Sequence, residues 1–317
     1  MARRLTIFFA SDIHGSERVF RKFLKAAPFY GADAVIFGGD ITGKRLVPVI
    51  ETGPGRYRAE LFGSTHEVES GSALDDLEGR IRANGFYPYR TTDEEVARLS
   101  ADPGYLHDTF GRVMSETAER WVTLADEQLR AAGVPALMMP GNDDEPAVKG
   151  ILAQGSWIVD AEDRVVELEG YQVASYGFST TTPWHSPREV TEDGMAAALD
   201  GLLGRLDPTR PAIFNLHDPP RASGLDLALK LTPDLRVVTA GGDPQREPVG
   251  SKAVRAAIER VRPVLSLHGH IHESRAATTI GRTLCLNPGS AYGEGTLQGV
   301  LVTLDGDRVK GHQFVSG

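Results

Sequence analysis

The chain has 317 residues, enough to bury a large core, and is 41% hydrophobic and 24% charged, as globular proteins usually are. Its net charge of −9 argues against a main role in gripping nucleic acid, whose phosphates call for a basic excess. The single cysteine, Cys285, excludes an intrachain disulfide and a cysteine-rich zinc module.

The opening MARRLTIFFASD imitates a signal peptide. Its apolar run, Leu5 to Ala10, is too short for an h-region and has no cleavage site behind it. No later stretch approaches the roughly 20 apolar residues of a membrane span. A cytoplasmic setting without a membrane partner is therefore expected. LTIFFA (5–10) leads into Ser11-Asp12-Ile13-His14-Gly15, and a helical pattern follows at 16–27. ADAVIFGG (32–39) leads into Asp40. Residues 44–105 are polar, glycine-rich and weakly periodic, and read as an insertion with helix around 73–84 and 93–100. A long amphipathic helix is predicted over 108–132.

VPALMM (134–139) runs into Pro140-Gly141-Asn142-Asp143-Asp144. A β-rich patch at 157–176 and a helical pattern at 188–205 follow. PAIFN (211–215) ends in Leu216-His217-Asp218. After a helical pattern at 251–261, PVLSL (263–267) meets His268-Gly269-His270-Ile271-His272, which holds three of the chain's nine histidines. The last part, 278–286, 299–304 and 308–315, reads as antiparallel strands with turns at Asn287-Pro288-Gly289 and Asp305-Gly306. Short apolar runs suit strands buried on both faces, and their alternation with helices means an α/β fold. Two packed sheets with helices outside accommodate both halves. The chain is read as one domain, 1–317, carrying the 44–105 insertion.

In such folds a site forms beyond the carboxyl ends of the strands. Asp12, His14, Asp40, Asn142, His217, His270 and His272 all fall there. They are carboxylate, imidazole and amide donors with no thiolate, a set suited to Mn, Fe, Zn or Co. Seven exceed what one ion of four to six coordination takes, and suffice for two. Two close cations need a bridging carboxylate, and Asp40 is the candidate. A P-loop reading of Gly38 to Lys44 fails, because Arg45 stands where a Ser or Thr must reach Mg²⁺ and Asp40 would enter the phosphate nest.

The order Asp12-Ile13-His14, Gly39-Asp40, Gly141-Asn142, His217 and Gly269-His270-Ile271-His272 resembles the calcineurin-like metallophosphoesterase superfamily, from residue 5 to about 305. The resemblance implies an αββα four-layer fold, two β-sheets sandwiched between helices. It also implies metal-dependent hydrolysis of a small phosphoester, either a monoester or a diester. One divalent transition-metal ion would take Asp12, His14 and His272. The other would take Asn142, His217 and His270. Asp40 would bridge them, and a metal-bridging hydroxide would attack phosphorus. Asp40, Asn142 and His217 thus count as catalytic as well as metal-binding. A catalytically silent scaffold of the same fold is the alternative, but a scaffold would tolerate loss of ligands and all seven are present. A nuclease of the same superfamily would share the site; the acidic balance argues against it.

The chain departs from the family at Asp143, where many members place a histidine that protonates the leaving oxygen. Two nearby cations favour the anion of an Asp that starts near pKa 3.9, so Asp143 is expected to be a poor acid or an orienting residue. His268, Asp144 and Asp218 are expected to support the ligands or the core, and Asn287-Pro288-Gly289-Ser290 to form a turn near the site. The basic cluster Lys44, Arg45, Arg56 and Arg58 reads as a solvated loop face, with a lid meeting an anionic substrate as the alternative; Arg221 is a similar candidate. Without a histidine acid, leaving groups that need little protonation are favoured. Aryl phosphoesters such as p-nitrophenyl esters are expected to be cleaved far better than alkyl ones, measured as kcat/KM from pH 5 to 9. Equal cleavage of both at pH 8, with chemistry rate-limiting, would reveal another acid.

Overall fold

The computed structural model describes residues 4–317; Met1 to Arg3, at the head of the signal-like opening, lie outside the described residues. Two six-stranded sheets form the centre. The first runs, edge to edge, Arg308–Ser316, Gln298–Asp305, Leu5–Ala10, Ala34–Phe37, Ala136–Met138 and Ile158–Asp160. Its four strands from Leu5–Ala10 to Ile158–Asp160 are parallel, and the two C-terminal strands add antiparallel. The second runs Ala276–Ile280, Thr283–Asn287, Leu265–Leu267, Ala212–Leu216, Tyr171–Tyr176 and Arg164–Leu168. Its four inner strands are parallel and both edges antiparallel.

The apolar runs are buried on both faces because the sheets are covered twice. Ile7, Phe9, Ile36 and Val300 of the first sheet meet Val173, Ile213, Leu265 and Leu286 of the second in one core layer. On the outer face of the first sheet, Phe8, Val35 and Phe37 pack under helices Glu17–Tyr30 and Pro103–Ala131. On the outer face of the second, Phe214 and Cys285 pack under helices Glu192–Leu203 and Lys252–Val261. Helix, sheet, sheet, helix is the expected αββα order.

The helices follow their sequence signals. Glu17–Tyr30 buries Val19, Phe20, Phe23, Leu24 and Ala27 on one face, the spacing of a single helical stripe. It stops at Gly31, whose φ of 67° is left-handed. Pro103–Ala131 starts with Pro at its first turn, and the Asp102 carboxylate accepts from Tyr105 N at 3.0 Å. Phe20 and Trp121 stack across these two helices, with ring centroids 4.2 Å apart. A short helix, Ala147–Leu152, and small hairpins within 227–248 were not foreseen; both are too short for periodicity to register.

Residues 44–105, expected to be an insertion, have more regular structure than their composition suggests. Their helices are Ser72–Ala83 and Asp93–Ala101, near the predicted ranges. The missed part is a four-stranded sheet of Ser64–Glu69, Arg56–Leu61, Arg45–Gly53 and Phe86–Thr91. That sheet buries only one face, closing Val47, Val49, Ala59 and Leu61 over Leu74, Leu77 and Ile81, so its sequence reads as polar. Arg45 lies over the Phe86 ring and Arg58 pairs with Asp93 at 3.0 Å, both within the insertion. Among the described residues no helix is long and apolar enough to cross a membrane. Trp121 is 4% exposed, and Trp121→Ala is expected to cost about 3–5 kcal/mol, the range for emptying a buried aromatic site. Urea unfolding measures this; a loss below about 1 kcal/mol would mean the stacked pair does not hold the long helix.

Candidate metal centre

Each site residue stands where a parallel strand runs out. Asp12 and His14 follow Leu5–Ala10, Asp40 follows Ala34–Phe37, and Asn142 follows Ala136–Met138. His217 follows Ala212–Leu216, and the His268–His272 segment follows Leu265–Leu267. The chain turns at once to aim these groups inward. Asp12 (φ 59°), His14 (φ 41°), Asp40 (φ 56°) and His270 (φ 68°) all adopt left-handed backbone, a conformation costly for side-chain-bearing residues and concentrated at functional sites. The first two loops are zipped together: Ile13 and His14 N–H both donate to Asp40 O at 3.0 Å, and Asp12 N–H donates to Gly39 O at 2.9 Å.

The glycines of the motifs are there for close approach. A Cβ on Gly141 would lie 2.2 Å from Asp40 Oδ1, and one on Gly269 would lie 2.4 Å from Asp12 Oδ2. The backbone of one motif therefore abuts the carboxylate of another, and any side chain would push the loops apart.

His14 Nε2 is 3.0 Å from His272 Nε2 and 3.6 Å from Asp40 Oδ2. The same Asp40 oxygen is 3.4 Å from His217 Nε2, which is 2.9 Å from Asn142 Oδ1. His272 Nε2 and His217 Nε2 lie 3.5 and 3.9 Å from Asp12 Oδ1. His270 donates its backbone N–H to Asp12, and its ring stands 5.3 Å from that of His217. Donor atoms of Asp12, His14 and His272 lie within 4.8 Å of one another, as do those of Asp12, Asp40 and His217, and those of His14, Asp40 and Asp143. Six of the seven predicted ligands thus touch, with His270 flanking them.

These groups fit metal ions on three grounds. Two imidazole nitrogens 3.0 Å apart repel unless a proton or a cation lies between them. His14 Nδ1 is buried with no hydrogen-bond partner, and Asp12 and Asp40 are each 1% exposed, so their charge must be balanced from within. The donors are all oxygen and nitrogen. Burial pushes His14 and His270 down to about 3, leaving neutral rings able to ligate. Burial would also depress His217, but the adjacent Asp40 carboxylate overrides it and holds the ring up at about 10. Burial raises Asp40 itself to about 6. His217 and Asp40 therefore form an ion pair at neutral pH when no metal is bound.

The supporting residues have clear tasks. Asp144 accepts from the N–H groups of Ile41, Thr42 and Gly141 at 2.7–3.0 Å and from Thr42 Oγ1 at 2.5 Å, fastening the Asp40 loop to the Asn142 loop. His268 points away from the centre; Nδ1 donates to Leu216 O at 2.9 Å and Nε2 accepts from Ser266. Asp218 accepts from Thr180 N–H and Oγ1. Asn287 Nδ2 donates to the carbonyls of Gly269 and Ile271, and Ser290 Oγ donates to Asp12 O, so the 287–290 turn braces the ligand loops. Arg221 is held through its backbone N–H to Ser251 O.

Asp143 holds the mouth. Its Oδ2 pairs with Lys44 Nζ and lies 3.9 Å from His14 Nδ1, while Oδ1 accepts from Ser186 Oγ at 2.5 Å. Burial would raise its pKa, but Lys44 and Ser186 hold the carboxyl below the usual range. The Tyr292 ring lies 4.7 Å from that of His14, tilted by 45°. Sequence reasoning missed Ser186 and Tyr292, which carry no motif, and read Lys44 as one member of a basic cluster, a solvated loop face or else a lid meeting an anionic substrate.

No family model matches the sequence. The uncharacterized protein MJ1162 of Methanocaldococcus jannaschii is 29% identical over 181 residues, spanning 56% of this chain and 72% of that protein. The crystal structure of TT1561 of Thermus thermophilus shares the fold with a TM-score of 0.50 at 16% identity, over 97% of this chain and 100% of the other. A novel archaeal phosphodiesterase aligns over 99% of this chain and 100% of its own, with a TM-score of 0.36 and 11% identity.

The protonation pattern has a measurable consequence. A ligand imidazole must be neutral, so a metal ion held by His217 would expel its proton. Uptake of Mn²⁺ is expected to release about one proton per chain at pH 7. Affinity should fall as pH drops, more steeply below about 6 where Asp40 also takes a proton. Calorimetric titration in buffers of different ionisation enthalpy counts the protons; uptake without proton release would contradict the His217–Asp40 pair.

Proposed function

We propose that this chain, whose four-layer fold is that of the calcineurin-like metallophosphoesterase superfamily, hydrolyses small phosphoesters with two divalent transition-metal ions. The observation that carries the reading is the convergence of two buried carboxylates, three imidazoles and one amide oxygen at the strand ends, with His270 beside them. Asp12, His14 and His272 serve one ion, and Asn142, His217 and His270 the other. Asp40 lies between them, a role supported by one oxygen standing 3.6 Å from His14 and 3.4 Å from His217. The bound ions supply Lewis acidity toward phosphoryl oxygens and make water a nucleophile at neutral pH.

The chain's own groups set the rest. Asn142 offers an oxygen without adding charge, which keeps the centre net positive toward an anionic substrate. The left-handed turns and the carboxylate of Asp144 hold the donors in place before substrate arrives, so little reorganisation is needed. Asp143 is an anion and cannot give a proton. Burial would lower the pKa of its partner Lys44, but the hydrogen bond to Asp143 raises it, so Lys44 keeps its proton as well. The leaving group departs without an acid from this pair. The all-nitrogen-and-oxygen donor set suits Mn, Fe, Zn or Co, with manganese the first to try.

Asp40→Asn keeps the size but removes charge facing both ion positions. Activity is expected to fall by about a thousandfold, the scale for removing a main electrostatic element, and metal content to fall below the two ions per chain expected of the native protein. The assay is kcat/KM with Mn²⁺ over a panel of phosphomonoesters, phosphodiesters and cyclic nucleotides, alongside elemental analysis. A variant within about tenfold of the native protein, or a native protein that never binds more than one ion, refutes the two-ion assignment.

A further inference from the structure

The insertion contributes one charged side chain to the centre. Lys44 sits between the Asp40 loop and the first inserted strand, Arg45–Gly53. Its main chain is anchored on both sides. Gly43 N–H donates to the buried Tyr87 hydroxyl at 2.7 Å, and Arg45 pairs in register with Phe86. Ser16 Oγ donates to Ala83 O at 2.7 Å, tying the His14 loop to the same insertion.

From this mount Lys44 Nζ reaches Asp143 Oδ2, the oxygen 3.9 Å from His14. The Asp143 N–H in turn donates to Asp40 Oδ1 at 2.9 Å. The ammonium is thus one carboxylate away from the candidate metal ligands. It has three N–H donors, and among the described residues only Asp143 uses one. The side chain is 57% exposed, so the remaining donors are open to an incoming group. Of the basic cluster 44–58, Arg45 and Arg58 are engaged within the insertion, and Lys44 alone is paired at the centre.

We propose that Lys44 is a phosphoryl-binding residue: its free donors take a non-bridging oxygen of the substrate phosphate while Asp143 keeps the ammonium in position. This rests on the phosphoester reading above. It makes the insertion part of the active site and favours substrates whose phosphorus carries exposed anionic oxygens. A simpler role for Lys44 is to neutralise Asp143, whose bare anion would repel a phosphate. The two roles separate in a double-mutant cycle, because Asp143→Asn removes the charge that needs neutralising.

The proteins to compare, all loaded with Mn²⁺, are the native chain, Lys44→Ala, Lys44→Arg, Asp143→Asn and Lys44→Ala/Asp143→Asn. The readouts are the Kd of inorganic phosphate by calorimetry, kcat and KM for a p-nitrophenyl ester, and metal content. Lys44→Ala is expected to weaken phosphate binding by about tenfold or more, the worth of one charge-assisted hydrogen bond. A loss of at least about threefold should persist in the Asp143→Asn background, where the ammonium is less firmly positioned, with metal content unchanged and partial recovery in Lys44→Arg. Phosphate affinity of the double variant within about twofold of Asp143→Asn overturns the proposal, as does loss of metal in Lys44→Ala. If Asp143→Asn does not fold, Asp143→Ser takes its place, since it too removes the charge that needs neutralising, and Lys44→Ala is judged in that background by the same outcomes. A native protein that neither binds phosphate nor cleaves any ester refutes the function itself; one that does both, with unaffected Lys44 variants, refutes only this inference.

Discussion

Asp12 and Asp40 lie buried at the meeting point of two sheets, among imidazoles and almost cut off from water. Two carboxylates in such a place must be balanced by protons or cations. Around them the protein gives up local comfort: four of the seven donor residues sit in left-handed backbone, and two loop glycines leave no room for a Cβ against the carboxylates. Strain of this kind persists only where the surroundings over-determine it. Here the surroundings are Asp144, clasping two loops through four hydrogen bonds, and Asn287, clasping the histidine segment through its carbonyls.

The two sheets divide the labour. The first supplies Asp12, His14, Asp40 and Asn142; the second supplies His217, His270 and His272. Two of the three clusters of donor atoms draw on both sheets: Asp12, His14 and His272, and Asp12, Asp40 and His217. The core layer of Ile7, Phe9, Ile36, Val173, Ile213 and Leu265 that fixes the sheets against each other thereby also fixes the spacing of the donors. Packing energy far from the chemistry is what holds the constellation, as general views of preorganised sites require.

The mouth is built differently from the floor. The floor comes from strand ends; the mouth is assembled by Lys44 from the insertion, Ser186 from the 178–190 loop and Tyr292 from the segment after the Asn287 turn. Asp143 is the post to which the first two are tied. Its carboxylate recruits a cation, Lys44, from the segment that follows the Asp40 loop.

The sequence by itself determined the α/β class, the positions of the main strands and which polar residues stand at the ends of those strands. Short apolar runs bounded by turn residues suit doubly buried strands, and the carboxyl ends of such strands line the crevice where sites form. The long helices were legible from their period: Val19, Phe20, Phe23, Leu24 and Ala27 form one buried stripe, and Val113, Met114, Trp121, Ala125 and Leu129 another. The inserted sheet was not legible, because it buries one face over a small core and its strands read as polar. Only the tertiary structure decided that His268 turns away while His272 turns in, since both lie in one five-residue segment and the direction depends on a left-handed turn at His270. Only the tertiary structure brought Lys44, Ser186 and Asp143 together from three distant segments. A charge pair between Lys44 and Asp143, so far apart along the chain, leaves no trace in local pattern; it exists because the packing of two sheets and an insertion closes that distance.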